Sequence, residues 1–125
     1  MPHEQKTIIV VEDEQDAAEM FAEMMHVNGF RVLKAAGCGP AISMIDEEQP
    51  AAVILDIMMP EVSGLEVLRY MQSKPILAKI PVIVVSAKSL PADIKLGLEA
   101  GACVYLTKPV DYLDLKKAVE KALAA

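Results

Sequence analysis

The sequence predicts an α/β fold, a doubly wound parallel sheet covered by helices. Two observations carry this. Five short apolar runs alternate with five segments of helical periodicity, and such alternation implies right-handed βαβ units. The runs are also nearly continuous in apolar residues, as strands covered on both faces require. They span residues 7–11, 30–35, 51–55, 80–85 and 102–106. Thr7-Ile8-Ile9-Val10-Val11 and Ile80-Pro81-Val82-Ile83-Val84-Val85 are the clearest, being rich in β-branched residues.

Between the runs lie the helices. Ala17, Met20, Phe21, Met24 and Met25 follow i, i+3, i+4, i+7, i+8 spacing, and Asn28-Gly29 supplies a stop. Pro40 suits the first turn of a second helix reaching about Glu48. Ser63-Gly64-Leu65-Glu66 reads as a capping box for a third helix to about Ser73. A fourth runs from about Pro91 to Ala100 and ends at Gly101. Asp111 caps the last, whose Leu115, Ala118, Val119 and Ala122 share a face beside Leu123. The eight methionines read as core filler.

Length and charge narrow the function. A chain of 125 residues, 54% apolar and 24% charged, is expected to fold as a single domain with its own core over about residues 6–124 and no output domain. Its net charge of −6 argues against nucleic acid or an anionic membrane as partner. No apolar run reaches the roughly 18 residues of a membrane span, and the first residues lack the apolar stretch of a signal peptide. The expected location is cytoplasmic. Cys38 and Cys103 lack the spacing of a metal site and read as small packing residues.

Ligands of open α/β sheets sit beyond the carboxyl ends of the strands. There the sequence turns polar. The first run ends in Glu12-Asp13-Glu14, the third in Asp56, the fourth in Ser86 and the fifth in Thr107-Lys108-Pro109. A single acid after a strand is ordinarily a helix cap. Three acids that converge are different, because two like charges at ~4 Å repel by ~4 kcal/mol at an effective dielectric near 20. If the first and third strands are neighbours, Glu12, Asp13 and Asp56 converge, and the cluster should bind a cation or take up protons. Hard carboxylate oxygens favour Mg²⁺. His3 and His26 lie off this edge, so zinc is not indicated. With Lys108 and a divalent ion balancing the three acids, the site can accept a phosphoryl group, and one carboxylate can be the nucleophile.

These residues resemble the receiver domains of bacterial two-component response regulators. The matching stretches are Ile8-Ile9-Val10-Val11-Glu12-Asp13-Glu14, Val53-Ile54-Leu55-Asp56-Ile57-Met58-Met59-Pro60, Val84-Val85-Ser86-Ala87 and Tyr105-Leu106-Thr107-Lys108-Pro109, with Gly64 and Gly101-Ala102 in support. The resemblance implies a flavodoxin-like fold with five parallel strands in the order 2-1-3-4-5. It implies Asp56 as phosphoacceptor, Asp13 as a direct Mg²⁺ ligand, Glu12 as its companion acid and the Met58 carbonyl as a further ligand. Ser86 and Tyr105 correspond to the switch pair. Lys108 corresponds to the lysine on the phosphoryl group, with a cis peptide before Pro109. The family commonly has Asp-Asp where this chain has Glu12-Asp13. The extra methylene moves the carboxylate by ~1.5 Å, which leaves Glu12 to bind directly or through water.

The implied function is a phosphorylation-controlled switch rather than an enzyme. A sensor histidine kinase or histidine phosphotransfer protein donates to Asp56. Ser86 is drawn inward, Tyr105 fills the vacated space, and a downstream partner reads the surface of helix 4, strand 5 and helix 5. The chain is then a monomer or a phosphorylation-dependent homodimer. A fragment of a hybrid kinase and a non-phosphorylated docking module are the alternatives. An aspartate-nucleophile phosphatase would need an acid at Met58. A nucleotide binder would need a Gly-rich phosphate loop in place of Glu12-Asp13-Glu14. Blander readings are a solvated Lys108, a helix-start Ser86 and a merely packed Tyr105. In the strand order 2-1-3-4-5, Cys38 and Cys103 stand at opposite edges, roughly 19 Å apart, too far for a disulfide.

Overall fold

The computed structural model describes residues 5–58 and 63–124. His3 and the Met59-Pro60 end of the Val53–Pro60 stretch fall outside them. The elements are β1 (Thr7–Val11), α1 (Gln15–Val27), β2 (Arg31–Ala35), α2 (Cys38–Glu48), β3 (Ala52–Leu55), α3 (Leu65–Gln72), a 3₁₀ turn (Leu77–Lys79), β4 (Val82–Ser86), α4 (Pro91–Glu99), β5 (Val104–Thr107) and α5 (Tyr112–Ala124). All strand pairs are parallel, and the sheet order is β2-β1-β3-β4-β5. This is the architecture expected from the sequence.

The pleat sends successive side chains to opposite faces, so each central strand feeds two cores. Ile8, Val10, Ile54, Ile83 and Val85 pack with Phe21 and Met25 of α1 and with Leu115 and Val119 of α5. Ile9, Val11, Val53, Leu55 and Val84 pack with Ala41 and Ile45 of α2 and with Leu68 and Met71 of α3. That is why the runs are continuous in apolar residues. Each of the Val, Ile, Leu, Phe and Met side chains among them stabilises the fold by roughly 1.5–3 kcal/mol on burial. α4 is the exception, since Gly97 is its one buried residue while Leu96 and Leu98 lie exposed.

Helix α1 turns a slightly different face inward than its spacing predicts. Ala18, Phe21 and Met25 are buried, whereas Met20 is 44% exposed. Its first turn is capped by Glu14, whose Oε2 accepts from Ala17 N–H at 2.6 Å. Gly29 follows the Asn28 cap at φ 91°, a conformation suited to glycine. The capping box at α3 does not form. Ser63 Oγ donates to Ile57 O at 3.4 Å and accepts from Leu65 N–H at 3.2 Å, closing the preceding loop instead. Glu66 pairs with Arg69. The Asp111 cap of α5 forms, with Oδ1 accepting from Asp114 N–H at 2.8 Å.

Strand β5 starts two residues later than its apolar run, so Cys103 precedes it and donates its N–H to Val82 O at 2.8 Å. Cys38 opens α2 on the other side of the sheet, and no disulfide joins the two. Met25 and Met71 fill the core as expected, but Met20 and Met58 are exposed. No described helix is long and apolar enough to cross a membrane.

The burial pattern of α5 predicts a contrast between neighbours. Leu115→Ala removes a fully buried side chain and should lower stability by about 2–5 kcal/mol in urea denaturation. Leu113→Ala, at a 59% exposed position, should change it by less than about 0.5 kcal/mol.

Candidate functional site

The sheet's hydrogen-bond ladder continues past the strand ends and fixes the residues there. Glu12 N–H donates to Ala35 O at 3.0 Å, Asp56 N–H to Val11 O at 3.0 Å and Lys108 N–H to Ser86 O at 2.8 Å. Glu12, Asp56, Ser86 and Lys108 thus project from one sheet edge. The peptide between Lys108 and Pro109 is cis, as expected.

Lys108 Nζ donates to Glu12 Oε1 at 2.8 Å and to Asp56 Oδ2 at 3.0 Å. Both acids are buried, at 3% and 4% exposure, while Asp13 is exposed. The remaining oxygens also have donors. Glu12 Oε2 accepts from Glu14 N–H at 3.2 Å, and Asp56 Oδ1 accepts from Met58 N–H at 2.8 Å. Burial pushes the Glu12 carboxyl above its ordinary value, and the Asp56 charge adds to this against the Lys108 hydrogen bond. Burial alone would lower the Lys108 ammonium, but its bonds to Glu12 and Asp56 hold it above the ordinary lysine value.

One carboxylate oxygen from each of Glu12, Asp13 and Asp56 lies within 4.8 Å of the others. The donor set is hard oxygen, without imidazole or thiolate, and Asp13 opens it to water. That chemistry fits Mg²⁺, which keeps several waters and takes few protein ligands.

Of the residues the sequence marks at the strand ends, Glu12, Asp13, Asp56 and Lys108 form one cluster, Glu14 caps α1 instead, and Ser86 is tied to the Lys108 backbone through its carbonyl. There the structure supplies a link the sequence did not indicate. Ser86 Oγ accepts from Lys88 N–H at 3.1 Å, and Tyr105 Oη donates to Lys88 O at 2.8 Å. Both contacts use backbone atoms of Lys88, which carry no side-chain signature. Phe21 was also missed. Its ring lies 5.9 Å from Lys108 Nζ and walls the ammonium from the α1 side. Gly64 has a steric role, since a Cβ there would stand 2.6 Å from Asp56 O and 2.7 Å from Ile57 Cα.

Residues 8–120 match the response regulator receiver domain family. The chain belongs to that family. The receiver is 34% identical to the protein PilH of Pseudomonas aeruginosa, over 94% of this chain and 97% of PilH. It is 33% identical to the phosphate regulon transcriptional regulatory protein PhoB of Escherichia coli, over 88% of this chain but 48% of PhoB. The receiver thus spans about half the length of PhoB. Among solved structures, it resembles the signal receiver domain of a signal transduction histidine kinase from Syntrophus aciditrophicus. The TM-score is 0.87 at 29% identity, covering 95% of this chain and 90% of that one. Family and fold agree with what the motifs imply.

The opposed influences on Glu12 give a direct test of the receiver's electrostatics. Lys108→Met removes the ammonium that holds the Glu12 carboxylate charged. The Glu12 carboxyl should then titrate at higher pH than in the wild type, as read by carboxyl-carbon NMR in metal-free buffer.

Proposed function

We propose that this receiver is a cytoplasmic phosphorylation-controlled switch whose phosphoacceptor is Asp56. The observation that carries the reading is the pairing of one ammonium, Lys108, with two buried carboxylates beside an exposed third. Such a site is built to take a group that is negatively charged and arrives with a cation.

In this reading a phosphohistidine of a sensor kinase or phosphotransfer protein is the donor. An Asp56 carboxylate oxygen attacks phosphorus, the P–N bond breaks, and its electron pair stays on the imidazole nitrogen. The product is an acyl phosphate. Glu12, Asp13, Asp56 and the Met58 backbone would hold Mg²⁺, which supplies charge neutralisation to the phosphoryl oxygens when bound. Lys108, already on Asp56 Oδ2, provides a second positive charge at the same atom. Its bond to Ser86 O ties the lysine backbone to β4.

The acyl phosphate adds charge beside Ser86. A shift of the Ser86 hydroxyl towards it releases Lys88 N–H, and the Tyr105 contact on Lys88 O follows. The surface of α4, β5 and α5 then changes for a downstream partner. The phosphoryl group acts by binding one of two arrangements better than the other, which makes the protein a switch rather than an enzyme acting on a separate substrate. The same site serves a receiver that stands alone and one carried within a histidine kinase, as in the Syntrophus neighbour. A phosphotransfer profile against candidate kinases identifies the donor.

The test is incubation with a small phosphodonor and Mg²⁺, followed by intact-mass measurement. One base-labile phosphoryl group should appear, and Asp56→Asn should abolish it. Asp13→Ala should lose Mg²⁺ binding in calorimetric titration and phosphorylation with it, while Glu12→Asp, which keeps the charge, should be milder. Label that persists in Asp56→Asn would place the acceptor elsewhere. No label in the wild type would favour a docking module.

A further inference from the structure

Gly97 is a helical glycine with no conformational need to be one. Its φ is not in the left-handed region, unlike Gly29 and Gly101. Glycine is the poorest helix former after proline, so α4 loses stability by carrying it. The reason lies in what a side chain would meet. A Cβ on Gly97 would stand 2.8 Å from Tyr105 Cδ2 and 2.9 Å from Tyr105 Cε2. Outside its own helix, these ring atoms are all it would meet within 4 Å, so the ring itself is what would have to move. Gly97 is also the one buried residue of α4.

The ring held there is the one whose hydroxyl donates to Lys88 O, and Lys88 N–H donates in turn to Ser86 Oγ. We propose that Gly97 is a positioning residue for Tyr105: the missing side chain forms the slot that lets the tyrosine hydroxyl reach the loop between Ser86 and α4. A side chain at 97 displaces the ring, breaks the bond to Lys88 O and uncouples α4 from Ser86. The coupling part of this inference rests on the proposed roles of Asp56, Ser86 and Tyr105, whereas the seating of the ring does not.

The two parts are tested separately on the full chain. The first experiment is a thermal denaturation cycle over Gly97→Ala, Tyr105→Ala and the double variant. With the ring deleted, Gly97→Ala should raise the melting temperature by about 2–4 °C through helix propensity. With Tyr105 present, that gain should vanish or reverse. An equal gain in both backgrounds overturns the proposal. If Gly97→Ala alone does not fold, the double variant must fold, and its failure to do so also overturns the proposal.

The second experiment follows amide chemical shifts of the Ser86–α4 loop and of α4 upon addition of phosphodonor and Mg²⁺. Gly97→Ala should still take up one phosphoryl group, but its phosphorylation-dependent shifts should fall by about twofold or more. The Tyr105 ring should also lose its cross-peaks to residue 97 as they stand in the wild type. Full-size shifts with an undisplaced ring overturn the proposal. A wild type that takes up no phosphoryl group removes the reading of Asp56 instead, and the denaturation cycle still decides the ring's seat.

Discussion

Glu12 and Asp56 carry their carboxylates buried side by side, an arrangement that one ammonium makes tolerable. Lys108 Nζ bonds both. Without it, each acid would face the other's charge in a setting that screens poorly, and burial already pushes the Glu12 carboxyl above its ordinary value. The ion pairs stabilise the fold less than their lengths suggest, because both acids have left water to make them. Their value lies in readiness. Three acids against one ammonium leave the site with negative charge to spare, so it can take a divalent cation, and an anion together with it, without being rebuilt.

The sheet does the placing. β1 and β3 are hydrogen-bonded neighbours, which brings Glu12 and Asp56 to adjacent strand ends. β5 lies beyond β4, so Lys108 reaches back across that strand to meet them. Its backbone bond to Ser86 O and the Phe21 ring near its ammonium define that path. Gly64 contributes by omission, since the backbone behind Asp56 passes where a Cβ would otherwise stand. The cluster is thus a product of parallel-strand register more than of any one loop.

How much of this was legible in the sequence depends on where the information resides. The strands were legible because a sheet covered on both faces needs uninterrupted apolar runs, and Val82–Ser86 and Thr7–Val11 have them. The polar residues at their ends were legible for the complementary reason, as sharp breaks in those runs. Strand order came from resemblance, since periodicity says nothing about which strands are neighbours. The face of α1 was misjudged at Met20 because Ala18 and Met20 are both apolar, and spacing alone does not choose between them. The capping box failed because Glu66 N–H bonds the Ser63 carbonyl, the Ser63 hydroxyl oxygen accepts from Leu65 N–H instead, and the Glu66 carboxylate turns to Arg69. The Lys88 relay and the slot at Gly97 were invisible because one is made of backbone atoms and the other of an absent side chain.

The shallow seat of α4 has a thermodynamic consequence of its own. A helix attached through a single buried glycine, with Leu96 and Leu98 turned to solvent, forfeits little apolar burial when it detaches. The rest of the core does not depend on it, because the two main clusters draw on α1, α2, α3 and α5. The native state is therefore graded rather than uniform. Its few buried apolar residues mark α4 as the element whose local opening should cost only a fraction of the free energy of global unfolding. Softness is concentrated in the element that lies next to Tyr105, and rigidity in the strands that hold Glu12, Asp56 and Lys108.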